Sequence, residues 1–238
     1  TQRGIWGWHD SDDASNNWMA LYFSSNGSIY FNWKQGGSSI STLGTSQKFR
    51  DPTAWGNIVV TIDTTLSTEA DRVKMFWNGN RLTFFEGGYP TQDLVIDSWN
   101  GTDKEFWVGG EYVSSSAHYF DGYMSHFCMI DGNAYDASYF GLEDSASGSW
   151  KIKTGPNVTY GSQGCFLKLE DSSNMDKDSS PNDFTFTTSG AGLLLTKDNP
   201  SNNFCTFNPV VAKISGFSWN MGNNKVVTPG TSGSGSTM

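Results

Sequence analysis

Apolar and polar residues alternate along most of this chain. Between Trp18 and Ser24, Met19, Leu21 and Phe23 share one face of a pleat. Between Ser28 and Lys34, Ile29, Phe31 and Trp33 do the same. Asn26-Gly27 lies between the two runs, which is the strongest short-range signal for a hairpin. A second hairpin is predicted where Asn78-Gly79 separates Arg72–Trp77 from Arg81–Phe85. In Asn57–Thr64, Ile58, Val60 and Ile62 alternate with Val59 and Thr61. Shorter strand-like runs are Gly4–Trp8, Ser38–Leu43, Leu94–Ile96, Glu105–Val108, Trp150–Lys153, Cys165–Leu169, Asp183–Thr187 and Gly192–Thr196.

One run stands out. Tyr123–Ile130 has no Gly, Pro or charged residue, and both of its faces carry large apolar groups. It predicts a central strand covered on both sides, stopped by a turn at Asp131-Gly132. Asp136 then caps a short helical turn over Ala137–Phe140. No window shows sustained helical periodicity. The pattern therefore predicts an all-β fold, a two-sheet antiparallel β-sandwich or jelly roll with that helical turn and a loop-rich C-terminal extension. The expected division is a sandwich over 1–155, a β-rich extension over 156–226 that packs on it or completes it, and a Gly/Ser/Thr linker over 227–238.

Composition narrows the partners. Aromatics are 15% of the 238 residues, enough for a sizeable core. Lys+Arg is 15 against Asp+Glu at 24, a net charge of −9. That balance argues against nucleic acid as a partner, and no apolar run is long enough for membrane insertion. A neutral polar partner such as sugar fits, and so does acidity serving solubility alone. The three cysteines, Cys128, Cys165 and Cys205, form no zinc spacing. A bridge between Cys165 and Cys205 stays open, while Cys128 reads as a small buried hydrophobe.

Four segments together carry a resemblance. They are FRDPTAWGNIVVTIDTT (Phe49 to Thr65), RVKMFWNG (Arg72 to Gly79), YFDGYMSHFCMIDGNAYDASYFG (Tyr119 to Gly141), and YGSQGCFLKLEDSSNMDKDSS (Tyr160 to Ser180) with NDFT (Asn182 to Thr185). In order and spacing they resemble the concanavalin A-like, laminin-G-like jelly-roll domain of tailed, often marine, bacteriophage virion proteins. NPSNNFCTFNP (Asn199 to Pro209) resembles the segment that follows that domain. The resemblance implies a virion structural protein, a tail fibre or head appendage module, made in the bacterial host cytoplasm. Its implied partners are other virion subunits, with a homotrimer as the natural fibre state; contact with host-surface glycan follows by analogy from the fold alone. It also implies a piece of a longer protein. An N-terminal strand common in the family is missing at the start, and a further β domain commonly follows the end.

The residues themselves offer little catalytic chemistry. Jelly-roll glucanases set paired carboxylates on one strand as Glu-x-Asp-x-x-Glu. The nearest approach here, Glu69-Ala-Asp71-Arg-Val-Lys74, ends in a lysine and reads as solvated loop. His9, His118 and His126 stand at no ligand spacing, and His126 reads as a satisfied core or interface histidine. The expectation is a non-enzymatic module with no required cofactor. For glycan contact the candidates are Trp8, Tyr89, Trp99 and Tyr112, in or beside predicted loops, where rings stack on sugar faces. A weak calcium candidate is the oxygen-rich loop of Asp171, Asn174, Asp176, Asp178 and Asp183, without EF-hand spacing. Two alternatives remain: a purely structural capsid or tail decoration domain without sugar binding, and, less favoured, a jelly-roll glycosidase. A secreted eukaryotic-type lectin comes last.

Overall fold

A computed structural model describes residues 2–51, 54–96, 103–113, 116–189 and 194–196, and the backbone of 218–220 and 225–227. In chain order the strands are β1 (Arg3–Asp10), β2 (Trp18–Phe23), β3 (Ile29–Gln35), β4 (Ser38–Thr45) and β5 (Ile58–Ile62). A one-turn helix, α1 (Glu69–Arg72), precedes β6 (Val73–Trp77), β7 (Asn80–Arg81), β8 (Phe84–Glu86), β9 (Lys104–Val108), β10 (Gly110–Val113) and β11 (Ser116–Tyr119). The remaining strands are β12 (Phe127–Met129), β13 (Gly141–Glu143), β14 (Trp150–Ile152), β15 (Cys165–Leu167), β16 (Ser218–Asn220) and β17 (Lys225–Val227). The fold is all-β, and every pairing among the described strands is antiparallel. Among the described residues no helix is long and apolar enough to cross a membrane.

The largest sheet has six strands in the order β8-β4-β3-β2-β1-β9, and a second has three, β5-β6-β7. The β2–β3 hairpin forms across Asn26-Gly27, with Leu21 opposite Phe31 and Met19 opposite Trp33. These residues face inward with Ile5, Trp8, Ile29 and Leu43. They form one buried cluster with Val73, Met75 and Leu82 from the three-stranded sheet side. The alternation predicted this core directly, because a pleat sends every second side chain to the same face. The Asn78-Gly79 turn also forms, with φ of 47° and 77°, the positive pair that a two-residue hairpin turn requires.

The second hairpin departs from expectation beyond that turn. Its far arm pairs only over Asn80–Arg81. The chain then crosses over, and β8 joins the edge of the six-stranded sheet beside β4. Leu94–Ile96 forms no strand, and Leu66–Asp71, expected as loop, contains the start of α1.

The predicted central strand over Tyr123–Ile130 is corrected most. Only Phe127–Met129 is β, and it pairs with a single neighbour, β15. His126 adopts φ 53°, a left-handed conformation that breaks the pleat. Tyr123, expected to be buried, is 48% exposed. The following turn is as predicted: Asp136 Oδ1 accepts the Ser138 N–H at 2.8 Å and caps a 3-10 turn over Ala137–Tyr139.

The β12–β15 pairing ties residues before 155 to residues after it. Of the expected strand at Asp183–Thr187, the structure shows an isolated bridge from Thr185 to Lys177. Trp99, Cys205, the Asn199–Pro209 segment and the linker after Val227 lie outside the described residues.

Candidate functional site

On the face of the six-stranded sheet opposite the core, the β10–β11 hairpin packs over β1. Close approach of the two backbones requires glycine beneath it. A Cβ on Gly4 would lie 2.5 Å from Glu111 Cγ, and one on Gly7 would lie 2.8 Å from Glu111 Cβ. Glu111 fills the space those glycines leave and is 0% exposed. It stands directly across from His118 in the hairpin register. His118 Nδ1 lies 2.8 Å from its Oε1, and Gln2 Nε2 donates to that oxygen at 2.6 Å. Burial pushes the Glu111 pKa up, while His118 and Gln2 pull against it.

Above this anchor the hairpin brings three rings together at the β9 edge of the sheet. Trp107 lies 6.0 Å from Tyr112 and 6.1 Å from Tyr119, centroid to centroid. Tyr119 is 66% exposed; Trp107 and Tyr112 are half-buried. His9 lies 4.5 Å from Tyr112 on the inner side of the patch. Burial lowers the His9 pKa, with Glu105 and Asp10 opposing, so the ring is neutral near pH 7. Glu105 completes the set: its Oε2 accepts from Trp107 Nε1 at 3.3 Å and lies 3.7 Å from His9 Nε2. An exposed phenol, a half-covered indole and a carboxylate on a strand-built edge can offer ring faces and hydrogen-bonding groups to a polar ring-shaped ligand.

A second aromatic strip lies toward the opposite edge of the same sheet. Tyr22 and Tyr30 sit 5.5 Å apart and nearly parallel, and Phe85, 54% exposed, meets Tyr30 edge-on at 6.0 Å. Asn32 Nδ2 donates to the Tyr22 oxygen at 3.0 Å. Burial, with Tyr30 and Glu111 nearby, pushes the Tyr22 pKa up to about 12.

Of the glycan candidates that lie among the described residues, Tyr112 alone reaches a patch. Trp8 is corrected: it lies inside β1, 3% exposed, in the core cluster, because the strand runs on to Asp10 instead of ending at the predicted loop. Tyr89 is half-buried against that same cluster, beside the fully buried Pro90. Trp99 lies outside the described residues. The residues that reasoning missed, Glu105, Trp107 and Tyr119, had a signal. Glu105 and Trp107 alternate with Phe106 and Val108, which places a tryptophan on the polar face of its strand.

The oxygen-rich loop does not converge on a point. Asp171 accepts from Ser173 N–H at 2.9 Å and Asn174 Nδ2 at 3.0 Å, closing an Asx turn. Asp178 turns inward instead: its two oxygens accept from the N–H groups of Phe166, Ser180 and Phe184 and from the Ser180 hydroxyl, at 2.8–3.0 Å. A carboxylate with four donors on it has little left for a cation. Asp183 holds φ 50° in the same turn system. Among the described residues no three His, Cys, Asp or Glu side chains are grouped to hold a metal ion. Asp71, from the glucanase-like run, pairs with Arg81 at 2.7 Å. Cys128 and Cys165 are free thiols, and burial pushes each up to about 12.

Compared with family models, curated proteins and solved structures, the chain matches none.

Proposed function

We propose that this chain is a glycan-contacting module of a bacteriophage virion structural protein, a tail fibre or head appendage, built on a two-sheet β-sandwich. The virion assignment is supported by the segment resemblance at Tyr119–Gly141 and Tyr160–Thr185. The glycan reading is carried by one observation: Trp107, Tyr112 and Tyr119 meet beside Glu105 on a strand-built edge. Ring faces bind the apolar faces of a pyranose, and the carboxylate accepts from its hydroxyls. The rigid sheet beneath keeps the patch from losing entropy on binding. Its role is binding, with weak single contacts multiplied across several copies, a homotrimer among them, on one particle.

The test is a glycan array probed with the chain displayed as a multimer. The expected result is binding to a set of glycans that disappears in Trp107→Ala and Tyr119→Ala. An array that stays blank, or binding that both variants retain, overturns the glycan reading. The exposed apolar side chains of Phe85, Val95 and Leu142 favour a second reading, a spacer whose surface is covered by neighbouring subunits. Under it, the same array is blank and Trp107 and Tyr119 become protected on particle assembly.

A further inference from the structure

Ser125 and His126 stand just before β12, away from the aromatic patch and on the wall of a wide cleft. The Ser125 hydroxyl lies 2.7 Å from His126 Nδ1. Across the ring, Nε2 lies 3.4 Å from Glu170 Oε1. A hydroxyl, an imidazole and a carboxylate in that sequence form a nucleophile, its base and the group that orients the base. The first distance is a full hydrogen bond. The second is an ion-pair distance without hydrogen-bond alignment, as is common before a substrate binds.

Three features prepare the imidazole. The carboxylate beside Nε2 favours the tautomer protonated there, which leaves the Nδ1 lone pair for the serine hydroxyl. The His126 side chain is 5% exposed, with the Phe166 ring 6.0 Å away. That burial lowers its pKa, Glu170 opposes the shift and Lys168 adds to it, so the ring is a neutral base near pH 7. Finally, its backbone sits at φ 53°, a conformation non-glycine residues seldom take, held by the His126 N–H donating to Lys168 O at 3.2 Å. The Ser125 hydroxyl has another acceptor, Lys168 O, but at 3.4 Å it is the weaker one.

We propose that Ser125, His126 and Glu170 form a nucleophilic site that accepts the acyl group of a carboxylic ester. Ser125 Oγ attacks the ester carbonyl carbon while its proton passes to His126 Nδ1. The bond to the alcohol oxygen breaks, and the alcohol leaves with that proton. Water then attacks the acyl-serine and gives a proton to Nδ1. That proton returns to Oγ as the carboxylic acid departs, and no electron transfer is involved. Glu170 is a positioning residue, since it acts through the imidazole.

The experiment treats the full chain with p-nitrophenyl acetate and with a fluorophosphonate probe, and maps the adduct by peptide mass spectrometry. The expected result is labelling at Ser125, with acyl transfer falling about 100-fold or more in Ser125→Ala and in His126→Gln. In Glu170→Gln, loss of the carboxylate that raises the His126 pKa moves the acid limb of the pH–rate profile to lower pH. Thermal unfolding of Ser125→Ala and Glu170→Gln confirms that these two fold, so they carry the test even where His126→Gln does not. No adduct at Ser125, or turnover in Ser125→Ala equal to that of the parent, overturns the proposal.

Discussion

Asp178 shows what a single buried carboxylate does in this chain. Burial is the largest single influence on it and favours the neutral form, yet three backbone N–H donors and the Ser180 hydroxyl together hold its pKa below the ordinary aspartate value. The donors come from Phe166 in β15 and from the loop at Ser180 and Phe184, so one side chain pins the loop to the strand. Asp178→Asn replaces half of the acceptor with N–H donors aimed at N–H donors. The expected cost is about 2–4 kcal/mol, since each donor left unpaired in a buried site costs ~1–3 kcal/mol. Urea unfolding followed by Trp fluorescence measures it. An effect within error of zero means the loop detaches without consequence.

Glu111 is the opposite case. Its folded pKa is raised, so the protonated form is favoured by folding. The stability it contributes is full below its unfolded pKa and drains away as pH rises through the folded value. His9 and His126, whose pKa values are lowered, slope the other way and lose stability as pH falls. The difference between parent and Glu111→Gln isolates the carboxylate from both. The expected outcome is that the variant gains on the parent between pH 5 and pH 8, read from paired denaturation curves. A constant difference across that range removes the claim. His118 and Gln2 are the groups that act on Glu111, and the variant leaves both in place.

At the scale of elements, the glycines of β1 decide whether the patch exists. The β10–β11 hairpin carries Tyr112 and Tyr119, and it seats on β1 only because Gly4 and Gly7 present no side chain. Gly7→Ala pushes a methyl into Glu111 and costs about 1–3 kcal/mol, in the range for overpacking a filled site. The accompanying sign is faster amide exchange in β10 than in β3. Unchanged exchange in β10 dissociates the glycines from the hairpin.

This element also marks where the sequence was legible. Strict alternation and Asn-Gly turns made β2, β3, β5 and β6 readable, because side-chain period and turn chemistry are local properties. The core around Phe31 and Trp33 followed from the same pattern. What lay hidden depends on contacts between distant segments. Gly4 and Gly7 face Glu111 a hundred residues away, β8 leaves its hairpin for another sheet, and His126 breaks a run whose composition fits a strand. Loop-side position marks Tyr112 as a candidate but says nothing of the rings it meets, and Trp8 is buried because its strand continues two residues past the predicted loop boundary.

At the scale of the whole molecule, and on the proposed glycan reading, charge and copy number would set how the patch works. A net charge of −9 repels acidic glycans, and the carboxylate of Glu105 stands inside the patch itself. If the patch binds glycan as proposed, neutral sugars are therefore the expected ligands. Ring stacking and hydrogen bonding to neutral hydroxyls are little screened by salt, whereas an ion-pair mechanism weakens as the Debye length falls from ~10 Å at 0.1 M to ~3 Å at 1 M. Binding to a neutral glycan surface is expected to change less than about two-fold over that range, judged against the larger losses that screening brings to charge-led contacts. Clustering acts separately from salt. Displaying several copies on one scaffold raises apparent affinity by roughly 10²–10⁴ over the single chain without any new contact. Surface plasmon resonance of the monomer and of a multimeric display, each at two salt concentrations, measures both effects. Strong salt dependence assigns the attraction to charge and removes the rings from the centre of the mechanism. Equal affinity for the single and clustered forms shows that one patch binds alone, and the module then has no need of copies on a particle.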